Sequence, residues 1–547
     1  MIERLAYLYP ELALFVSTCL VMVLGLSPVK ESRKLVPGVA SAGVLIATLL
    51  AAFTTPAGKA VTPEGGQTLL LNLVPYAKVM IGAVGFILLL VLGGTVDRGD
   101  EARIAAGKMR FDPLRSNRAE FYSFALFSLT GLMLCASADD LIWLFLALEL
   151  TSLPTYIMVA ISTSENRGRE AGVKYFFLGA LGAAIFLYGF TLLYGATGST
   201  NFNEMHAAFM EGGITSIGLA GLLLSILGVG FKIAAVPMHF YTADVYQGAA
   251  SQVSAFLAFV PKTAGFLSLI LILACVGWGY APGTELGTPD FYGRGGDLPE
   301  LVRLLLWVMA ALTMTVGNVL ALLQTSVKRL LAYSSIAHSG YMLVGLIAGP
   351  GDGSFSQNGL SAVIFYLLCY GVMNIGTFAV LSALERPSGT EGEPQGVDSI
   401  ADLRGLCTRS PLLGWTMSIC ALSLLGLPPL LGFFGKVPLF TSAISAGEIP
   451  LVVVLGLNSA IAAFYYLKLA FAPFLESPDP AAEPSQITNI RSRIIGGTLS
   501  AAGVIVLALL GEGVMAGSRK AGEYTPSPAG SQAAQESAPP ALTSASH

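Results

Sequence analysis

Apolar runs long enough to cross a bilayer recur from one end of this chain to the other, and the short polar stretches between them hold most of the charge. A run of about 20 apolar residues spans roughly 30 Å of hydrocarbon as a helix. The pattern predicts fourteen helices: 10–27, 35–54, 73–96, 118–136, 140–162, 171–195, 214–246, 251–277, 301–324, 329–349, 358–384, 411–446, 450–474 and 492–515. The runs at 214–246 and 411–446 are too long for a single crossing, and both contain proline and glycine. The expected fold class is an all-α polytopic membrane protein.

Composition supports this and little else. Of 547 residues, 54% are hydrophobic and 12% charged, where a soluble chain carries about a quarter charged residues. Six scattered cysteines, with no C-x-x-C or Cys/His cluster, argue against iron–sulfur, zinc or a disulfide framework and read as small apolar packing residues. The first run, "LALFVSTCLVMVLGLSP", has no cleavage pattern of a separable signal peptide. The stretch after Lys520 is rich in Ala, Pro and Ser and is expected to be disordered, while 385–405 and 476–490 read as loops.

Cations set the orientation. Lys30, Arg33, Lys34, the six from Arg98 to Arg118, Arg167, Arg169, Lys174, Lys328, Arg329, Arg386, Arg404, Arg409, Arg491 and Arg493 all fall in alternate connections. The opposite connections are short or acidic, with Asp139–Asp140, Glu204, Glu211, Asp290, Asp297, Asp352 and Glu448. By the positive-inside rule both termini lie outside, on the periplasmic face of a bacterial inner membrane. Asp139–Asp140 are expected to cap the fifth helix, and His206 and His547 are expected to be inert in exposed segments.

A few charges remain inside the runs: Glu149 in the fifth, Lys232 in the seventh, Lys262 in the eighth, His338 in the tenth and Lys436 in the twelfth. At 1.5 Å per residue, Glu149 and His338 reach about mid-bilayer and Lys262 lies near it. Lys78 and Lys468 sit nearer helix ends, where snorkelling to water is expected. A lysine at the centre of a membrane helix costs at least ~2.5 kcal/mol, so such residues mark function by default. One carboxylate cannot neutralise three ammonium groups, which leaves purely structural pairing an incomplete account. A chain of proton carriers fits better: desolvation favours the neutral amine, and a nearby carboxylate such as Glu149 favours the ammonium of Lys232.

Proline explains the two long runs. Pro237 follows Lys232, and Pro428–Pro429 precede Lys436. Interior prolines open the helix ladder, and irregular backbone survives in a membrane only where it is buried or lines a wet cavity. The seventh and twelfth runs are both interrupted, both carry lysine, and cross in opposite directions, the sign of an inverted repeat. His239 and Asp244 follow the first break and either shape a cytoplasmic proton inlet or cap the half-helix. Lys174 reads equally as a positive-inside marker or a relay. No Walker A or G-x-G-x-x-G motif appears.

The segments "LFLALELTSLPTYIMVA", "GVKYFFLGALGAAIFLYGFTLLYGATGS", "FKIAAVPMHFYTADVYQGA", "LLAYSSIAHSGYMLVGL" and "LPPLLGFFGK" resemble the antiporter-like membrane subunits of NADH-quinone oxidoreductase (respiratory complex I), a family shared with Mrp-type sodium/proton antiporters. "HFYTADVYQGA" and "YGATG" are most similar to its subunit N branch. The resemblance implies helices 1–3 and a cytoplasmic loop in 1–117, inverted five-helix repeats in 118–277 and 301–475 with helices 7 and 12 broken, a last helix at 492–515 and a tail from 520 to 547. It implies proton transfer through Glu149, Lys232, Lys262 and Lys436, with His338 joining the halves. It also implies that NADH, FMN, iron–sulfur clusters and quinone bind partner subunits, with no cofactor, metal or nucleic acid on this chain. The expected partners are other complex I membrane subunits, antiporter-like paralogues above all, and the lipid bilayer. The chain departs from the family pattern at Tyr241, Ala243 and Asp244, where Trp-x-Pro-Asp is usual, and at Pro261, where a small residue is usual and the proline is expected to shift Lys262. The competing functions are an Mrp-type sodium/proton antiporter, for which only Glu149 offers a mid-membrane carboxylate, and a scaffold whose charges merely lock helices together.

Overall fold

The structure, a computed structural model, describes residues 7–54, 69–70, 72–163, 166–278, 298–351, 354–386, 395–475 and 485–524. Asp290, Asp297, Asp352, His547 and the tail beyond Tyr524 lie outside the described residues. Helices α1 (Tyr9–Gly25), α2 (Lys30–Thr54) and α3 (Leu73–Val91) come first, followed by a short α4 (Arg98–Ala105). Next are α5 (Arg118–Ala136), α6 (Leu141–Ile161), α7 (Asn166–Thr197), α8 (Phe202–Gly212), α9 (Ser216–Lys232), α10 (Thr242–Gly248) and α11 (Ser251–Val276). The second half holds α12 (Glu300–Leu322), α13 (Val327–Ala348), α14 (Gly359–Ala383), α15 (Leu406–Arg409), α16 (Pro411–Leu425), α17 (Leu431–Ser445) and α18 (Ile449–Phe471). The last two are α19 (Arg491–Leu509) and α20 (Gly511–Ala521).

Each apolar run contains a helix, but length and composition alone mark eleven as membrane-crossing among the described residues; α1, α9 and α16 are shorter. The two long runs are split as their prolines demand, into α9 with α10 and α16 with α17. The loops hold a little more structure than the sequence suggested. Strands β1 (Leu384–Arg386), β2 (Gln395–Gly396) and β3 (Gln486–Ile487) form a small antiparallel sheet in the order β2-β1-β3.

The same five-helix pairing occurs twice. Helix α5 packs on α6 and α11, and α7 on α9; correspondingly α12 packs on α13 and α18, and α14 on α16 and α17. Helix α11 is buried along its whole length, and α13 and α14 nearly so. These three carry Lys262, His338 and a set of tyrosines, so the polar interior sits where lipid cannot reach. The outer helices turn Phe15, Phe53, Leu146, Phe177 and Phe464 outward, an apolar rim suited to hydrocarbon. Close approach of α7 and α9 depends on glycine: a Cβ on Gly228 would fall 2.4 Å from the Phe186 nitrogen.

Several of the cations expected in the connections are tied into ion pairs. Arg33 and Arg118 meet Glu101 at 2.7 and 3.4 Å, and Arg98 and Arg493 meet Glu385 at 2.6 and 2.9 Å. Burial alone would raise the Glu101 carboxyl, but the Arg33 hydrogen bond and the Arg118 and Arg33 charges outweigh it and hold the group below its usual value. Asp140 caps α6 by accepting from the Trp143 amide at 2.7 Å, as expected.

Four expectations are corrected. Lys78 does not snorkel: its side chain is fully buried, 2.6 Å from Glu11 on α1, because a carboxylate waits inside at the same level. It also donates to the Tyr7 carbonyl at 2.8 Å. His206 is not in an exposed loop but on α8, nearly buried, with Nδ1 3.0 Å from the Cys275 carbonyl. The final helix ends at Leu509, and a further helix, α20, runs on to Ala521. Beyond it Tyr524 donates to the Ala274 carbonyl at 3.0 Å and packs edge-on against Trp278, so the tail is docked at least that far.

Breaking the Lys78–Glu11 pair leaves one charge buried without its partner, a change that costs about 3–5 kcal/mol. Glu11→Ala should therefore lower the thermal unfolding midpoint of the detergent-solubilised protein markedly. The double variant Glu11→Leu/Lys78→Met should recover most of the loss. Equal midpoints for Glu11→Ala and wild type would show that the pair contributes no stability.

Candidate functional site

Both breaks are built in one way. At the end of α9, the Ala235 amide donates to the Gly230 carbonyl at 2.9 Å and the Ala234 amide to the Phe231 carbonyl at 3.0 Å. At the end of α16, the Leu427 amide donates to the Leu422 carbonyl at 3.1 Å and the Gly426 amide to the Ser423 carbonyl at 2.9 Å. These are Schellman closures, with a left-handed residue after the cap: Ala234 at φ 55° and Gly426 at φ 90°. Each leaves the cap carbonyl, Ile233 or Leu425, open to outside partners. At the first break the Val236 N–H also donates to Thr313 Oγ1 at 2.9 Å, and the Phe231 carbonyl, already bonded to the Ala234 amide, accepts from the Tyr241 hydroxyl as well at 2.8 Å.

Lys232 is the last residue of α9, at the negative end of a half-helix dipole. Its Nζ lies 3.1 Å from Glu149 Oε1 and donates to Ser152 Oγ at 2.6 Å. Glu149 and Ser152 stand three residues apart on α6 and so share a face. The lysine side chain is 2% exposed and the glutamate 18%. Desolvation works against such a pair unless its geometry and extra hydrogen bonds are good, and Ser152 supplies one.

A water-sized cavity of about 10 Å³ lies beside it, lined by Lys232, Tyr241, Thr242, Tyr246, Pro261 and Lys262 among others. The buried Thr242 hydroxyl lines it, and a polar cavity with room for a water is where one is held. Pro261 has no N–H to offer the Leu257 carbonyl one turn back, and Leu257 lines the same cavity. The proline lies within a continuous α11.

Lys262 reaches from α11 to α13. It donates to the Ser335 carbonyl and, at 2.7 Å, to Ser339 Oγ, and its Nζ stands 5.6 Å from the centre of the Tyr370 ring. His338, on the same turn of α13, is wholly buried in a cage of tyrosines. Its Nδ1 is 2.6 Å from the Tyr366 hydroxyl and its Nε2 2.7 Å from the Tyr466 hydroxyl, which also meets Ser334. A neutral imidazole donates through one nitrogen and accepts through the other, so a proton can arrive at one edge and leave from the opposite one. Tyr370 and Tyr341 flank the ring at 5.0 and 5.4 Å between centroids.

Beyond Tyr341 comes Lys436, its Nζ 5.1 Å from that ring and donating to the Leu425 cap carbonyl at 2.8 Å. The Tyr341 hydroxyl accepts from Asn318, which accepts in turn from Tyr465.

The five principal candidates are thus brought into one interior line, with Tyr370 shared between Lys262 and His338, and Tyr341 between His338 and Lys436. The two secondary candidates are not on it. Lys174 is 44% exposed and paired with Glu170 and Asp244 at 2.7 and 3.2 Å, and Asp244 also binds Arg329 at 2.7 Å. His239 lies half-buried beyond the first break, two residues after Pro237. Sequence reasoning missed Ser152, Ser335, Ser339 and the tyrosines 341, 366, 370 and 466. The signal for them was position: each falls on α6, α13, α14 or α18, helices that carry a buried charge or pack against one that does. Among the described residues no cluster of three or more His, Cys, Asp or Glu could hold a metal.

Comparison with known proteins agrees with this architecture. The profile of the family described as NADH:quinone oxidoreductase/Mrp antiporter, transmembrane, matches residues 138–281 and 298–462, which include all five principal residues. The NADH-quinone oxidoreductase subunit N of Trichlorobacter lovleyi is 38% identical over 397 residues, 72% of this chain and 75% of that one. A chain from respiratory complex I of Thermus thermophilus with bound aureothin superposes with a TM-score of 0.70 and 31% identity, over 93% of this chain and 98% of that chain. A chain of the Mrp complex from Dietzia sp. DQ12-45-1b shares the fold, with a TM-score of 0.73 at 21% identity over 97% and 98% of the two chains. From its profile match and its identity to these relatives, the chain belongs to the NADH:quinone oxidoreductase/Mrp antiporter family of membrane proteins.

Proposed function

We propose that this chain is a proton-translocating membrane subunit of an NADH-quinone oxidoreductase, acting beside other membrane subunits of that complex. Protons move along Glu149, Lys232, Lys262, His338 and Lys436, driven by electron transfer in partner subunits. NADH, FMN, iron–sulfur clusters and quinone belong to those partners. The chain lies in a bacterial inner membrane, crossing it fourteen times with α9–α10 and α16–α17 as interrupted crossings, and both termini face the periplasm.

One observation carries this reading: Lys232, paired with Glu149, lines a water-sized cavity that Lys262 lines as well. A lysine held by a carboxylate can keep its proton; shifting the carboxylate favours release, and a water in the cavity would carry it to Lys262. His338 then passes protons across its two tyrosine hydroxyls towards Lys436. The relatives named as NADH-quinone oxidoreductase subunit N support this over sodium exchange. Sodium would want several oxygen ligands, carboxylates among them, and Glu149 is the one carboxylate among the described residues of the line.

The test is Lys232→Ala and Lys262→Ala in the assembled complex, with assembly checked on native gels. Removing a group that must be charged in transit should cut the rate of NADH-driven proton uptake at least about tenfold, the effect of ~1.4 kcal/mol, and NADH oxidation should fall with it. Undiminished uptake in both would overturn the proposal, and failure to assemble would favour the scaffold. Tyr466→Phe removes the partner of His338 Nε2 and leaves a buried polar nitrogen unsatisfied, at about 1–3 kcal/mol. Coupled proton uptake should fall while the complex still assembles; an unchanged rate would take His338 off the path.

A further inference from the structure

Ser339 sits beside His338 on α13, yet its strongest bond leaves its own helix. A serine inside a membrane helix commonly donates to the carbonyl four residues back. Here that contact, to Ser335, is 3.3 Å, whereas the bond to the Ile233 carbonyl is 2.6 Å. Ile233 is the cap residue of α9, and its carbonyl is one of the groups a helix end leaves open. The same hydroxyl accepts from Lys262 Nζ at 2.7 Å.

A hydroxyl has one proton to give. While that proton is committed to Ile233, the oxygen offers Lys262 only lone pairs, a setting that suits an ammonium with protons to donate. A shift of the break that withdraws Ile233 frees the O–H to turn and donate to the lone pair of a neutral amine. The direction of one O–H bond therefore reports the state of the backbone break to the lysine.

The second break shows the same cap carbonyl used without an intermediary, Leu425 accepting directly from Lys436 at 2.8 Å. Two equivalent carbonyls thus meet two lysines, and only the first does so through a hydroxyl. Gly265, one turn beyond Lys262, lets α11 approach the break closely enough for this: a Cβ there would lie 2.5 Å from Ile233 Cγ2.

We propose that Ser339 is a positioning residue that couples the geometry of the α9 break to the protonation of Lys262. The break that carries Lys232 on one side thereby governs Lys262 on the other, and proton transfer between the two lysines is timed by backbone movement. The inference rests on the reading of Lys262 as a proton carrier.

The experiment uses the assembled complex in proteoliposomes, carrying Ser339→Ala, Ser339→Cys, Ser339→Thr or Lys262→Ala. NADH-driven proton uptake and NADH oxidation are each measured beside amide hydrogen exchange of residues 233–236. Ser339→Ala and Ser339→Cys should assemble, lose coupled uptake about tenfold, as expected for one hydrogen bond to a charged group, and exchange faster at the break. Ser339→Thr keeps a hydroxyl and should recover most of the uptake. Wild-type uptake in assembled Ser339→Ala or Ser339→Cys, or unchanged exchange at 233–236, would overturn the inference. Lys262→Ala separates the two levels: if it fails while Ser339→Ala works, only the role of Ser339 is lost; if it works normally, the carrier reading falls and takes this one with it.

Discussion

The cap carbonyls left open where α9 and α16 stop are the groups around which the interior of this protein is arranged. In hydrocarbon there is no solvent to satisfy broken backbone, so each such group must find a partner inside the protein. Lys436 answers one directly, and Ser339 answers the other with Lys262 behind it. The same breaks that cost helix hydrogen bonds thus give buried cations acceptors at the depth where they need them. Helix interruption and buried lysine are two halves of one solution, which is why they occur together twice.

That arrangement shapes how charge is held. Lys232 has a full counter-charge in Glu149, while Lys262 and Lys436 have carbonyls, a hydroxyl and the faces of Tyr370 and Tyr341. A carboxylate partner favours a fixed ammonium; dipoles and rings hold it more weakly. The line is therefore graded, firm at the Glu149 end and loose beyond the cavity. His338 bridges the loose part, with hydroxyls at both ring nitrogens. The Lys78–Glu11 pair shows the contrasting case, a lysine with its carboxylate sealed beside it, both side chains nearly or fully buried.

Much of this was legible in the sequence because cost is legible. Lys232, Lys262, Lys436, Glu149 and His338 stood out as residues hydrocarbon penalises, and Pro237 and Pro428–Pro429 as residues a straight helix rejects. Their partners were hidden. Ser339 looks like any hydroxyl that bonds its own helix, and Tyr366 or Tyr466 like any aromatic in an apolar run. Glu11 stands 67 residues from Lys78, read from the positions the pair occupies, and neither position reveals that the other lies at its level. Tyr524 belongs to a stretch whose composition argues for disorder, and a few specific contacts with α11 and its flanking residue Trp278 outweigh that average.

The claim tested most directly is that the Glu149–Lys232 pair changes state as electrons flow. Infrared difference spectra of the assembled complex, recorded during NADH oxidation, would show this in the carboxylate region. A turnover-dependent band should be present, should disappear in Glu149→Gln and should persist in Glu11→Gln. Identical difference spectra with and without Glu149 would mean that the pair is a fixed structural contact, and the proton line would lose its first member.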